Sequence, residues 1–224
     1  MSEHVNKLPP KVIVWGGTGA AKEAYPIIKH YGAKVVAVFD DTPNLKSPFS
    51  GVPIYCGYEQ FLTWIASQNR DEIGFCIAIG NPHGRVRLRL HNLLVNEGLA
   101  PITIAHPSAV IAEDVEIGLG VQILAGAVID PEVRIGNQCI VNLNAVVAHE
   151  DVLEDGSEVG PGATVCGDVH IGVNAWICAG ATVLPRIRIG ADAKVSAGAV
   201  VVRDVPEGAT VFGVPARAFV VSNE

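Results

Sequence analysis

The chain of 224 residues carries 23 acidic and 16 basic side chains, and a formal charge of -7 argues against nucleic-acid or anionic-membrane partners, which reward a basic surface. Hydrophobic residues make up 49% and charged residues 17%, with 24 glycines, so the composition is that of a well-filled core with many tight turns and not of a disordered chain. No apolar run approaches the roughly 20 residues of a membrane span, and the polar start Met1–Lys7 lacks the core of a signal peptide, which predicts a soluble, cytoplasmic protein.

Residues 11–104 alternate strand-like and helix-like segments. Val12–Trp15 reads as a short strand, followed by Gly16-Gly17-Thr18-Gly19 and a helix over Ala20–Tyr31. Lys34–Phe39 reads as a second strand ending in Asp40-Asp41, Glu59–Gln68 as a helix, and Ile73–Ile79 as a third strand closed by Gly80-Asn81-Pro82. Arg85–Asn96 is an amphipathic helix stopped by Gly98. Such alternation predicts a small parallel sheet of βαβ units, a Rossmann-like α/β domain over residues 1–105.

After His106-Pro107 the rhythm changes. Counting by six from Ile111 to Val201, all 16 positions are Ile, Val or Leu. Four residues after many of them stands a small side chain: Ala127, Ala145, Ser157, Ala163, Ala175, Ala181, Ala193 and Ala199. Ile-Gly pairs at 117/118, 135/136, 171/172 and 189/190 are separated by multiples of 18, as are Gly126, Gly162, Gly180 and Gly198, with Asn144 on the same line. Asn is the residue that best replaces glycine in a left-handed turn. A hexapeptide repeat of this kind predicts a triangular parallel β-helix over residues 106–224, three hexapeptides to a coil and about five coils over 111–206.

His149-Glu150 is the sharpest chemical feature of the repeats. At its phase the neighbouring corners are Pro131, Gly167 and Pro185, so His149 is the titratable side chain among them. Imidazole suits removal of a proton near neutral pH, and Glu150 or the neighbouring Asp151 can orient the ring. In the first half, the turn Gly16–Gly19 opens onto a helix N-terminus, which favours a phosphate. Asp40 ends the second strand, where Rossmann domains hold a ribose hydroxyl. The five cysteines, Cys56, Cys76, Cys139, Cys166 and Cys178, form no CxxC pair and read as free thiols; Cys166 is the one worth testing as a nucleophile.

The βαβ half with its Gly-rich turn, then "HPSA", the repeats with "AHED" and the ending "VFGVPARAF" together resemble the sialic-acid O-acetyltransferase family of hexapeptide-repeat acyltransferases. That family includes nucleotide-amino-sugar N-acetyltransferases of the bacillosamine and GDP-perosamine type. The resemblance covers nearly all of residues 11–219 and implies a left-handed parallel β-helix, a homotrimer and transfer of acetyl from acetyl-CoA, without metal, by direct attack. It implies His149 as general base with Glu150 beside it. Gly16, Gly17, Asp40 and Asp41 then match the nucleotide site, Asn81 and Arg85 lie near the phosphates, and Asn142 lies near the sugar. Gly167, Ala179 and Ala197 match positions along the pantetheine arm. The basic line Arg134, His170 and Arg188, with Arg203 and Arg217, is a candidate for CoA phosphates. Two departures stand out: Ala20 where members commonly carry His after the turn, and Glu158 where many carry a second His nine residues after the base.

The expectation is therefore N-acetylation of a nucleotide-linked 4-amino-4,6-dideoxy sugar, favoured over O-acetylation because the first domain is built for a nucleotide. A zinc-dependent β-helix enzyme needs paired histidines, and the repeats have only the separate His149 and His170, with His106 at their entry. A structural or ice-binding β-helix would show Thr-rich faces and needs no βαβ domain. An NAD-binding regulatory module lacks the full GxGxxG here.

Overall fold

The computed structural model describes residues 5–218. Met1–His4, and Phe219 at the end of the "VFGVPARAF" motif, lie outside the described residues.

The first domain is a five-stranded sheet in the order β3-β2-β1-β4-β5, with β1 Lys11–Trp15, β2 Lys34–Asp40, β3 Ile54–Cys56, β4 Ile73–Ile77 and β5 Ala100–Pro101. All its pairings are parallel. Helices α1 Gly19–His30, α2 Gly57–Ile65 and α3 Gly84–Asn96 cover the faces. The sequence pattern finds α1, α3, β1, β2 and β4 within a few residues and overruns α2 and the end of β4. It misses β3 and β5, whose three and two residues are too short to show a period. Two apolar clusters fill the sheet's two sides; one centres on the stacked Trp15 and Phe39, with Phe61 edge-on to Phe39.

The second half is a three-sided prism. Its first face stacks six two-residue strands from Val110–Ile111 to Val200–Val201. The second face stacks five, from Glu116–Ile117 to Arg188–Ile189, and the third stacks eight, from Ile104–Ala105 to Arg217–Ala218. Neighbours in a stack are 18 residues apart and parallel, as in Val128↔Val146, until the end of the third face, where Lys194 pairs with Thr210 and the last pair is antiparallel. The coil thus starts at Ile104, just before the expected boundary, because the inward position there is Ala105, which the aliphatic count passes over.

Of the 16 inward aliphatics all but Ile111 are buried, each side chain contributing about 1.5–3 kcal/mol. The small residues on the companion line are buried as well, with Ala127, Ala145, Ala163 and Ala175 at 0% exposure. Asn144 takes the left-handed corner, with φ 54°. Among the described residues no helix is long and apolar enough to cross a membrane.

The first domain sits on the third face. Gln122 Nε2 donates to Ile77 O at 2.9 Å, and Leu124 and Leu143 pack into the cluster around α1. On the edge between second and third faces, α3 lies against the corners at Gln138, Gly156, Asn174 and Asp192.

Candidate functional site

The sheet order places a switch point between β1 and β4, the crevice where parallel α/β sheets take ligands. A cavity of about 480 Å³ opens there, lined by Gly16, Thr18, Asp40, Asp41 and Asn81 among others. Gly16 has φ 106°, and a Cβ on it would stand 2.2 Å from Ala78 O, so the turn passes too close to β4 for any side chain. Asp40 holds the turn: Oδ2 accepts from Gly17 N at 2.7 Å and Oδ1 from Thr42 N at 2.9 Å. The start of α1 carries no acidic residue in its first turn and no side-chain cap, which leaves its dipole open to an anion. Gly16, Gly17, Asp40, Asp41 and Asn81 are thus brought together. Arg85 is not: its guanidinium pairs with Asp192 on the prism, holding the Asp192 carboxyl down at about 2.

A second locus lies on the edge between the first and second faces. His149 and Glu150 are exposed there, at 63% and 57%, with Nδ1 3.0 Å from Glu150 Oε2. A carboxylate accepts, so in the neutral ring Nδ1 carries the proton and Nε2 the lone pair. Glu150 holds the corner's left-handed position, φ 62°. Of the two acids that can orient the ring, Glu150 does so; Asp151 turns into the prism, 0% exposed, where Val169 N donates to its Oδ1 at 2.8 Å. Gly167 stands in the next coil directly at the His149 ring. The basic line flanks this edge: Arg134, His170 and Arg188 line a polar cavity of about 310 Å³ with Glu150 and Asp168. His170 is engaged by Glu154 at 2.7 Å.

The remaining expected residues occupy the edge between third and first faces: Asn142, then Ala179 two coils further on and Ala197 on the coil after that. His149 therefore stands on the edge opposite the third face, which carries the first domain and its cavity. One chain does not bring His149 and the cavity together.

The seam under the cavity is held by Arg87, which no sequence motif singles out. Arg87, 0% exposed, donates to three backbone carbonyls: Ile79 O at 3.0 Å, Gln138 O at 2.9 Å and Gly156 O at 2.7 Å. Burial lowers its pKa, and Glu158 at 4.0 Å opposes this. Burial also pushes the Glu158 carboxyl up, against the pull of Arg87 and a hydrogen bond from Asn142 Nδ2 at 3.2 Å. The signal for Arg87 was present: it shares the stripe of Leu90 and Leu94 on α3.

All five cysteines are free. Burial pushes Cys139 up to about 11 and raises Cys166 and Cys178 too, so none of these three is poised as a thiolate. Among the described residues no group of three His, Cys, Asp or Glu could hold a metal ion.

Residues 11–92 match the PglD N-terminal domain. The chain is 36% identical over 103 residues to the GDP-perosamine N-acetyltransferase of Escherichia coli O157:H7, a match that spans 46% of this chain and 46% of that protein, about half the length of the curated relative. It is similar to the crystal structure of PerB from Caulobacter crescentus in complex with CoA and GDP-perosamine, with 33% identity, TM-score 0.84, and 93% and 97% of the two chains covered. It is also similar to the acetyltransferase domain of PglB from Neisseria gonorrhoeae in complex with acetyl coenzyme A, with 25% identity, TM-score 0.83, and 94% and 100% covered. With both domains matched across nearly the whole length of PerB, the chain belongs to the nucleotide-amino-sugar N-acetyltransferase family.

Proposed function

We propose that this protein transfers acetyl from acetyl-CoA to the amino group of a nucleotide-linked sugar, with His149 as general base, in a site shared between neighbouring copies of a cyclic trimer. The observation that carries the shared site is the separation of the His149 edge from the cavity on the third face. PerB was crystallised with CoA and GDP-perosamine, and PglB with acetyl coenzyme A; this supports the same pair of substrate classes here.

The outward side chains favour one way of assembling. Those of the second face are Glu116, Arg134, Val152, His170 and Arg188. Those of the first face are Val110, Val128, Val146, Thr164, Thr182 and Val200, without a charge. An uncharged β-branched face suits burial against copies of itself around an axis, and a head-to-tail ring closes there. In such a ring the first face's two edges meet between neighbours. His149 and Gly167 of one copy then face Asn142, Ala179 and Ala197 of the next, beside that copy's nucleotide cavity.

The chemistry follows from the ring's tautomer. The amine nitrogen attacks the thioester carbonyl carbon as Nε2 of His149 takes its proton, the C–S bond breaks, and CoA leaves as the thiolate. Glu150 stabilises the imidazolium that forms. Gly16, Gly17, Asp40 and Asp41, with Asn81, hold the nucleotide, and Gly167, Ala179 and Ala197 leave room for the pantetheine arm. The cytoplasm, where acetyl-CoA and nucleotide sugars are made, is the expected compartment.

Complementation tests this reading. Turnover is followed by free-thiol release on UDP-, dTDP- and GDP-linked 4-amino-4,6-dideoxy sugars. His149→Ala and a cavity variant, Gly16→Val, are expected to be inactive alone and to recover part of the activity when co-expressed, because a mixed trimer contains an intact base opposite an intact cavity. Active His149→Ala would remove the base assignment; two inactive variants with no recovery would place both halves in one chain. Turnover on hydroxyl acceptors alone would move the reading to sugar O-acetylation.

A further inference from the structure

We propose that Asp151 is a positioning residue for the His149 corner: an interior carboxylate that ties this turn to the next coil and supports the charged imidazole from inside the prism. The inference rests on the reading of His149 as base.

The inward column to which Asp151 belongs runs Val115, Val133, Asp151, Val169, Ile187, Val205, so an acid interrupts a line that is otherwise aliphatic in every coil. Packing would be served by valine, and a buried carboxylate costs free energy unless it is fully paired. It is only half paired. Oδ1 accepts from Val169 N at 2.8 Å, joining the His149 corner to the coil above, while Oδ2 is buried with no hydrogen-bond partner. An unpaired interior oxygen two residues from the proposed base is not explained by stability. Its charge is of use when the imidazole becomes positive, and Glu150 on the outside is solvent-exposed and correspondingly screened.

The charged and titratable groups that act on this carboxyl are His149 on its own corner, which favours the ionised form, and Asp168 on the next coil, which opposes it. Cys166, also on the next coil, is raised by burial and by Asp151 itself. Burial dominates and pushes Asp151 up to about 7, against the hydrogen bond from Val169 N and the nearby Ala148 amide, whose own hydrogen bond goes to Val165 O at 3.1 Å. The carboxylate therefore titrates in the working range, and two groups at one corner, His149 and Asp151, must both have lost their protons for the first step.

The test is the pH profile of kcat with saturating acetyl-CoA and amino-sugar nucleotide, on wild type, Asp151→Asn, Asp151→Val and His149→Ala. The wild type is expected to show an acid limb steeper than a single ionisation. Asp151→Asn, which keeps an acceptor for Val169, and Asp151→Val, which restores the column, are expected to lose about tenfold in kcat, with both KM values unchanged and the limb reduced to one ionisation. A wild-type limb of one ionisation, or variants whose profiles superpose on the wild type, would overturn the proposal while leaving His149 in place. Active His149→Ala would instead overturn the reading beneath it.

Discussion

The imidazole of His149 lies against Gly167 of the next coil: a Cβ on Gly167 would stand 2.8 Å from Nε2 and 2.9 Å from Cε1. Gly167 also has φ 54°, a conformation that side chains strain. The ring therefore owes its place to an absent side chain 18 residues away. Gly167→Ala is expected to displace the imidazole, which is exposed and free to move, and to lower kcat by about tenfold or more, with a stability loss of about 1 kcal/mol. A kcat equal to wild type would show that the ring does not need this seat.

Glu150 tests the tautomer argument. The pair with His149 is solvent-exposed, so Glu150→Gln is expected to leave the melting temperature nearly unchanged. Its carboxylate is what fixes the proton on Nδ1, so kcat is expected to fall about ten- to a hundredfold, with KM little altered. Thiol-release kinetics beside a thermal melt separate the two effects.

Val146 lies in the middle of the uncharged first face. Val146→Lys is expected to give a folded chain that sediments as a monomer and has lost activity, since a buried unpaired ammonium in the interface costs several kcal/mol. An active monomer would contradict a site shared between copies.

Arg87 anchors the first domain to the prism through the carbonyls of Gln138 and Gly156, and holds Ile79 O of its own domain as well. Arg87→Met is expected to cost about 3–5 kcal/mol in urea unfolding, since it strands those acceptors and leaves Glu158 without its counter-charge. Arg87→Lys is expected to recover little, because one ammonium cannot reproduce the planar fork.

Asp151 and Asp192 give stability opposite pH dependences. The folded-state pKa of Asp151, about 7, lies above its unfolded value, so the folded chain binds the extra proton between about 4 and 7 and stability falls as pH rises through that window. Asp192, held down at about 2 by Arg85, contributes stability above about 4 that is lost as pH falls toward 2. Asp151→Val is therefore expected to raise the melting temperature more at pH 8 than at pH 5. An equal gain at both would mean that the carboxyl is not buried in its ionised form.

The prism was legible because one inward aliphatic every six residues is a local pattern repeated 16 times, and the left-handed Asn144 corner was legible for the same reason. The same period also marks Asp151 as inward-facing, yet beside His149 it was read as an alternative partner for the ring; the corner's geometry gives that place to Glu150. Arg85 and Arg87 show the complementary failure. Both lie on α3 two residues apart, and only the docked prism separates them, presenting Asp192 to one and the carbonyls of Gln138 and Gly156 to the other.

By itself, then, the sequence determined what periodicity and short-range chemistry can carry: a small parallel sheet, a β-helix, a phosphate-friendly turn and a His-Glu corner. Each of these rests on residues close together in the chain or equally spaced along it. Tertiary structure alone decided that the cavity and the His149 edge lie on opposite sides of one chain, that Arg87 is the buried clamp, and that the inward-facing Asp151 lacks a full set of partners. Those facts depend on which prism face the first domain covers, and that choice is made by contacts between residues scores of positions apart, which no local pattern records.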